Sequence, residues 1–294
     1  MKKLLILMLL LSVLLSTGCG VISQTYKIVA TTLPVYDFTT MLCKGTDLAV
    51  GRLVTENVSC LHDYTLQVDQ MRMIEGAQVV VLSGLGLEDF LDDALTGADL
   101  VLDASVGTHT HAGGHHHEGD HLSDHDHNHE TDPHIWLSPE NAMIMTENLA
   151  RGLAEIYPEY KDIFSQNLIS IHQQLQQLQH YGDEQLADLN SRELITFHDG
   201  FAYFAECFGL TILEAVEEES GSEASAAEII HLAELVSSHK LPAVFTETNG
   251  SDACAGIIHA ETGAAVYTLD MAMSGDSYFD AMYHNIDMIK EALG

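Results

Sequence analysis

Val79-Val80-Val81-Leu82 is apolar at every position. A strand wet on one face alternates apolar and polar side chains, whereas a strand covered on both faces reads as an unbroken apolar run. The stretch therefore predicts a strand inside a covered parallel sheet, and its flanks predict the rest of that sheet. Upstream, Lys27-Ile28-Val29-Ala30-Thr31 reads as a strand running into Pro34 and a helical segment to about Cys43. Leu48 to Val54 is the next strand-like piece, and Leu66 to Ile74 is helical. Downstream, Glu88 to Leu95 is helical and Leu100-Val101-Leu102 is another buried strand. Strands alternating with helices predict an α/β lobe.

The second half repeats the alternation. Strands are predicted over Leu194–Phe197, Thr211–Val216, Ala243–Thr246 and Ala265–Leu269, with helices over Phe201–Phe208, Ala224–Ser238, Asp252–Thr262 and Tyr278–Leu293. Between the halves, Ser138-Pro139-Glu140 starts a helix with Ser as N-cap and Pro at the first helical position. Pro158 restarts one that carries Ile163, Phe164, Ile171, Leu175 and Leu178 as an apolar stripe, long enough for a strut between two lobes. The predicted fold class is α/β, with two parallel (β/α) lobes joined by a long linking helix. The predicted divisions are 1–18 signal peptide, 19–138 N-terminal lobe with a loop at 108–131, 139–190 linking helices and 191–294 C-terminal lobe.

Met1-Lys2-Lys3 and the apolar run Leu4 to Leu15 have the charged start and short apolar core of an export signal. Ser16-Thr17-Gly18-Cys19-Gly20 resembles a bacterial lipoprotein cleavage box, which implies lipidation of Cys19; an uncleaved anchor and an ordinary cleavage site are the alternatives. No later segment approaches the roughly 20 apolar residues of a spanning helix. Of the remaining cysteines, Cys43 and Cys60 are the favoured disulfide pair, the alternative being that all four are small buried apolar groups. A formal net charge of −33 argues against a nucleic-acid partner and suits cations, although acidity also serves solubility.

Nine histidines lie between positions 109 and 129: His109, His111, His115, His116, His117, His121, His125, His127 and His129, among Gly, Asp, Glu and Ser. Such a tract gathers divalent ions without setting a geometry. An ordered site has to come from elsewhere. In open parallel sheets ligands bind beyond the carboxyl ends of the strands. His198, Glu247 and Asp270 each follow a predicted strand, His62 comes shortly after another, and His134 enters from the segment before the linking helices. Three imidazoles and one carboxylate complete a tetrahedral zinc site without thiolate. The predicted ligands are His62, His134, His198 and Asp270, with Glu247 as the substitute fourth ligand. Asp63 and Asp199 follow histidines and either orient an imidazole or cap a helix.

Leu61-His62-Asp63-Tyr64, Asp132-Pro133-His134-Ile135-Trp136-Leu137-Ser138-Pro139 and Phe197-His198-Asp199-Gly200-Phe201-Ala202-Tyr203-Phe204 together resemble the zinc-specific solute-binding lipoproteins of ABC metal importers, cluster A-I or cluster 9 of that superfamily, over essentially the whole mature chain. The resemblance implies a cleft site with one histidine from each motif, and a lipid-anchored protein on the outer face of the cytoplasmic membrane. It further implies Zn2+ as the bound ion, handed to the permease and ATPase subunits of an importer by a monomer that is not an enzyme. Manganese-binding members place Glu where His198 stands. The chain departs from the pattern at Ser59-Cys60-Leu61, before the first histidine, and at Met271-Ala272-Met273, after Asp270; the latter leaves Glu247 or water open as fourth ligand. A manganese- or iron-binding homologue is the alternative of the same class. A zinc-dependent hydrolase is the alternative of another, since a three-histidine zinc with an open position activates water.

Overall fold

The computed structural model describes residues 26–58, 61, 64–96, 98–111, 131–216, 224–250 and 252–294. The first sheet contains β1 (Ile28–Ala30), β2 (Val50–Arg52), β3 (Val79–Leu82) and β4 (Val101–Asp103), all parallel, in the order β2-β1-β3-β4. Helices α1 (Leu33–Leu42) and α2 (Val68–Gly76) alternate with these strands, as does a 3-10 turn at Asp89–Leu91 that runs into the short α3 (Asp92–Leu95). The apolar run at β3 behaves as expected, for Val79, Val80 and Val81 are wholly buried at the centre of the sheet.

β4 corrects the reading of Leu100-Val101-Leu102 as a buried strand. Leu100 is 42% exposed and Val101 43% exposed, because β4 is an edge strand. Leu102 alone turns inward and packs so closely on Gly152 that a Cβ there would come within 2.6 Å of its Cδ2. An apolar run reports a preference for cover, while position in the sheet decides how much cover is available.

The second sheet contains β5 (Glu193–Thr196), β6 (Thr211–Ala215), β7 (Ala243–Glu247) and β8 (Ala265–Leu269), again parallel, in the order β6-β5-β7-β8. The same second-first-third-fourth order in both sheets shows that the duplication is one of architecture. Two helices join the halves: α4 (Pro139–Ile156), capped by Ser138 Oγ on Asn141 N–H, and α5 (Lys161–Gln185). At 1.5 Å per residue, α5 is roughly 37 Å long. Helices α6 (Ala202–Cys207), α7 (Ala226–His239), α8 (Ala253–Thr262) and α9 (Tyr278–Leu293) complete the second half.

The strut is embedded. Phe164, Ile171, Leu175 and Leu178 of α5 belong to one core shared with α1, α4 and α9, so apolar residues of both halves form a single cluster. Asn167 Nδ2 donates to the carbonyls of Leu42 and Lys44 beyond α1 at 2.8 Å each. Across the halves, Arg52 donates to Gly275 O at 2.7 Å, Asp37 accepts the Tyr278 N–H at 2.7 Å, and Phe38 meets Tyr278 edge-on at 4.8 Å. Burial raises the Asp37 carboxyl, an effect opposed by the Tyr278 N–H.

Cys43 is buried in this shared core, and burial pushes its thiol up to about 12. Its expected partner Cys60 lies outside the described residues, as do the expected signal segment and Cys19. Among the described residues no helix is long and apolar enough to cross a membrane.

Candidate metal centre

His134 precedes a 3-10 turn, Ile135–Leu137, whose three side chains are wholly buried. Trp136 Nε1 donates to Met271 O and Tyr278 Oη donates to Trp136 O, both at 2.8 Å, so the turn is tied to the second half. The imidazole inherits that immobility and is itself only 5% exposed. Asp132 Oδ1 accepts both the backbone N–H of His134, at 2.9 Å, and its ring Nδ1, at 2.8 Å. An ionised carboxylate only accepts, so Nδ1 carries the proton and Nε2 keeps its lone pair for a metal.

His198 follows β5, and its ring centroid lies 5.3 Å from that of His134 at 87°. Gly200 makes this approach possible. A Cβ there would meet Met271 Cε at 2.5 Å, His198 Cδ2 at 2.9 Å and His134 Cγ at 3.1 Å. Glu247, the last residue of β7 and 6% exposed, places Oε2 3.7 Å from His198 Nδ1. Asp270 follows β8, its backbone held by two hydrogen bonds with Asn285, each 2.7 Å. Its Oδ1 accepts the Ala272 N–H at 2.7 Å. Burial raises the Asp270 carboxyl above the ordinary range, with that N–H and the nearby His284 pulling the other way. Glu247 and Asp270 line one small pocket with Thr248, Asn249 and Met271.

The carboxyl ends of β5, β7 and β8 thus deliver His198, Glu247 and Asp270 to one edge, as strand-end placement requires. His134 reaches His198 from the chain before α4. His62 and Asp63 lie outside the described residues. Sequence reasoning missed Asp132 as the carboxylate that orients His134. The signal was present: an Asp side chain readily accepts the backbone N–H two residues on, which in Asp-Pro-His sets the carboxylate beside the ring.

Of the nine loop histidines, His109 and His111 are described and stand beside Glu206 of α6. His115, His116, His117, His121, His125, His127 and His129 lie outside the described residues. Several helical histidines are engaged locally: His239 with Glu193 at 3.0 Å, His259 with Ala264 O at 2.8 Å and His284 with Thr268 O at 3.0 Å.

Residues 28–292 match the family model described as zinc-uptake complex component A, periplasmic. The chain is 29% identical over 321 aligned positions to the zinc-binding lipoprotein AdcA of Streptococcus pneumoniae, covering 99% of this chain and 61% of that protein. It therefore spans about three fifths of that relative's length. A crystal structure of ZnuA superposes with a TM-score of 0.79 at 27% identity, covering 92% of this chain and 100% of the other. The Zn(II)-bound ZnuA-like domain of Streptococcus pneumoniae AdcA superposes with a TM-score of 0.75 at 25% identity, covering 92% and 99%.

Proposed function

Because the chain belongs to the family of zinc-uptake complex component A, we propose that it is an exported solute-binding protein that captures Zn2+ outside the cytoplasm and presents it to the permease of an ABC importer driven by its ATPase subunit. The observation that carries this reading is the pairing of His134 and His198. Two imidazoles from opposite halves of the chain meet edge-on at 5.3 Å, His134 buried and His198 with its side chain 18% exposed, and Asp132 already holds Nδ1 of the first. The proposed ligands are His62, His134, His198 and Asp270, with Glu247 as the substitute carboxylate. Imidazole donors favour borderline Zn2+ over harder Mn2+, which prefers oxygen.

The cargo leaves chemically unchanged, so the site has to bind and release rather than break bonds. The proposed division of labour follows the chain: residues 19–138 and 191–294 supply ligands, 139–190 holds them in register, and 1–18 directs export. Lipidation of Cys19 would keep the protein, as a monomer, on the outer face of the cytoplasmic membrane.

Metal analysis of untagged protein purified without added metal, followed by competition among Zn2+, Mn2+ and Fe2+, tests the reading. One tightly held zinc per chain is expected. His134→Ala and His198→Ala should each weaken it by at least about 100-fold, the upper end of what loss of a mere supporting partner costs. Acidification should weaken it too, since protons compete for the imidazole nitrogens. Preference for Mn2+, or full zinc affinity in either variant, would overturn the assignment.

A further inference from the structure

We propose that Asn285, on α9, is the positioning residue that sets Asp270 toward the cleft imidazoles and so makes it the fourth donor. The proposal deepens the zinc reading above and rests on it. β8 is an edge strand, with β7 on one side only. Leu269 O turns toward β7, where it accepts the Thr248 N–H at 2.9 Å. Backbone groups of successive strand residues point to opposite sides, so Asp270 directs both its N–H and its carbonyl at the open edge. Where water is kept out, such groups need other partners. α9 supplies them. Asn285 Oδ1 accepts the Asp270 N–H and Asn285 Nδ2 donates to the Asp270 carbonyl, each at 2.7 Å. His284 Nε2 lies 3.0 Å from Thr268 O, two residues earlier on the same edge.

The whole amide is used. One side chain that presents an acceptor and a donor together matches the two backbone groups of a single residue, so Asn285 fixes where residue 270 stands and how its backbone is turned. Asn285 is wholly buried, and a buried amide is costly unless both its ends are partnered. The Asp270 carboxylate is then aimed locally. Its Oδ1 accepts the Ala272 N–H at 2.7 Å, and Ala272 has a φ of 54°, in the left-handed region that a side chain enters at a cost.

α9 also carries the reference against which Asp270 is placed. Tyr278 stands seven residues before Asn285, two turns back on the same face, and is wholly buried. Its hydroxyl donates to Trp136 O and Trp136 Nε1 donates to Met271 O, both at 2.8 Å. His134 is two residues from Trp136, and Asp270 is next to Met271. One helix face thereby ties two ligands that are remote in the chain. Glu247, the other carboxylate at this edge, stands beside the His198 ring, 3.7 Å from Nδ1, where a carboxylate supports an imidazole.

Zinc competition titrations of the full chain, read as a double-mutant cycle, test the assignment. Asn285→Ala should lower zinc affinity about 10- to 100-fold, the cost of losing a supporting partner, and Asp270→Ala should lower it at least as far. In the Asp270→Ala background the Asn285 change should cost no more than about twofold, since its route to the metal is already gone. Equal losses in both backgrounds would mean that Asn285 serves the fold alone, and would overturn the proposal. Asn285→Ser keeps a hydroxyl for one of the two backbone groups; it runs the same cycle with a smaller loss and serves where the alanine protein does not fold. Urea unfolding of the metal-free proteins shows which variants are folded. Full affinity in Asp270→Ala would refute the ligand assignment beneath the proposal, whereas loss there with full affinity in both Asn285 variants would refute the proposal alone.

Discussion

The cleft pair His134–His198 and the pair His109–His111 that opens the histidine-rich tract have a similar ring spacing, 5.3 Å and 5.2 Å, in different surroundings. In the cleft, His134 is buried beneath a wholly buried turn and Asp132 holds its Nδ1, leaving Nε2 on the far side of the ring. In the tract pair, Glu206 Oε2 approaches Nε2 of both rings, on side chains that are 65% and 30% exposed. A buried imidazole that has shed its water and settled its tautomer is ready to bind. An exposed one must still displace water. Affinity should therefore track burial and orientation more than the count of histidines.

The strongest way to break this comparison is to disturb the orienting carboxylate. Asp132→Asn should lower zinc affinity of the buried centre by about 10-fold and Asp132→Ala by nearer 100-fold, the range seen when a supporting partner is lost. His111 and Tyr203 should keep their places, because their hydrogen bonds use only the backbone of residue 132. Unchanged zinc affinity in both variants, measured by calorimetry, would show that orientation by Asp132 is not what readies His134.

Gly200→Ala tests steric fit with a smaller expected effect on metal. The added methyl would press on both cleft imidazoles and on Met271, costing about 1–3 kcal/mol of stability, read by urea unfolding of metal-free protein. A several-fold loss of cleft affinity should accompany it. An unchanged unfolding midpoint would mean that the rings have room to move apart, against the rigid setting described above.

The smallest effect on the affinity gap should come from Glu88, which closes the corresponding strand ends of the first sheet. Its carboxylate accepts hydrogen bonds from Thr31 Oγ1, Ser83 N and Gly84 N, and complete burial, outweighing these donors, raises it to about 7. The folded state then keeps a proton that the unfolded state releases near 4.5. Stability from this group is complete below about 4.5 and is lost as pH rises towards 7. Thermal midpoints of metal-free protein should show that decline, and Glu88→Gln should flatten it. Zinc affinity should move the other way, rising with pH, which separates imidazole protonation from lobe stability.

Much of the architecture was legible because burial on both faces leaves a mark on composition. Val79 to Leu82 declared a covered strand, and Ser138-Pro139 declared the start of α4 through cap chemistry that needs only neighbouring residues. Leu100 to Leu102 misled because the same apolar signal arises in an edge strand, and strand order is a long-range property. The strut was visible in the stripe of α5. Its burial in a core common to both halves was not, since that depends on contacts with α1 and α9 far away in the chain.

The site divides along the same line. By itself the sequence determined which residues have the chemistry: imidazoles and carboxylates after strands, a histidine-rich tract and an acidic chain suited to cations. Only the tertiary structure decided that His134 meets His198 over Gly200, that Glu247 stands beside His198, and that Glu206 stands beside two tract histidines. Donor type is a property of a side chain, carried wherever that residue goes. Coordination is a property of distances and angles between residues remote in the chain, and those exist only once the sheets and helices have packed.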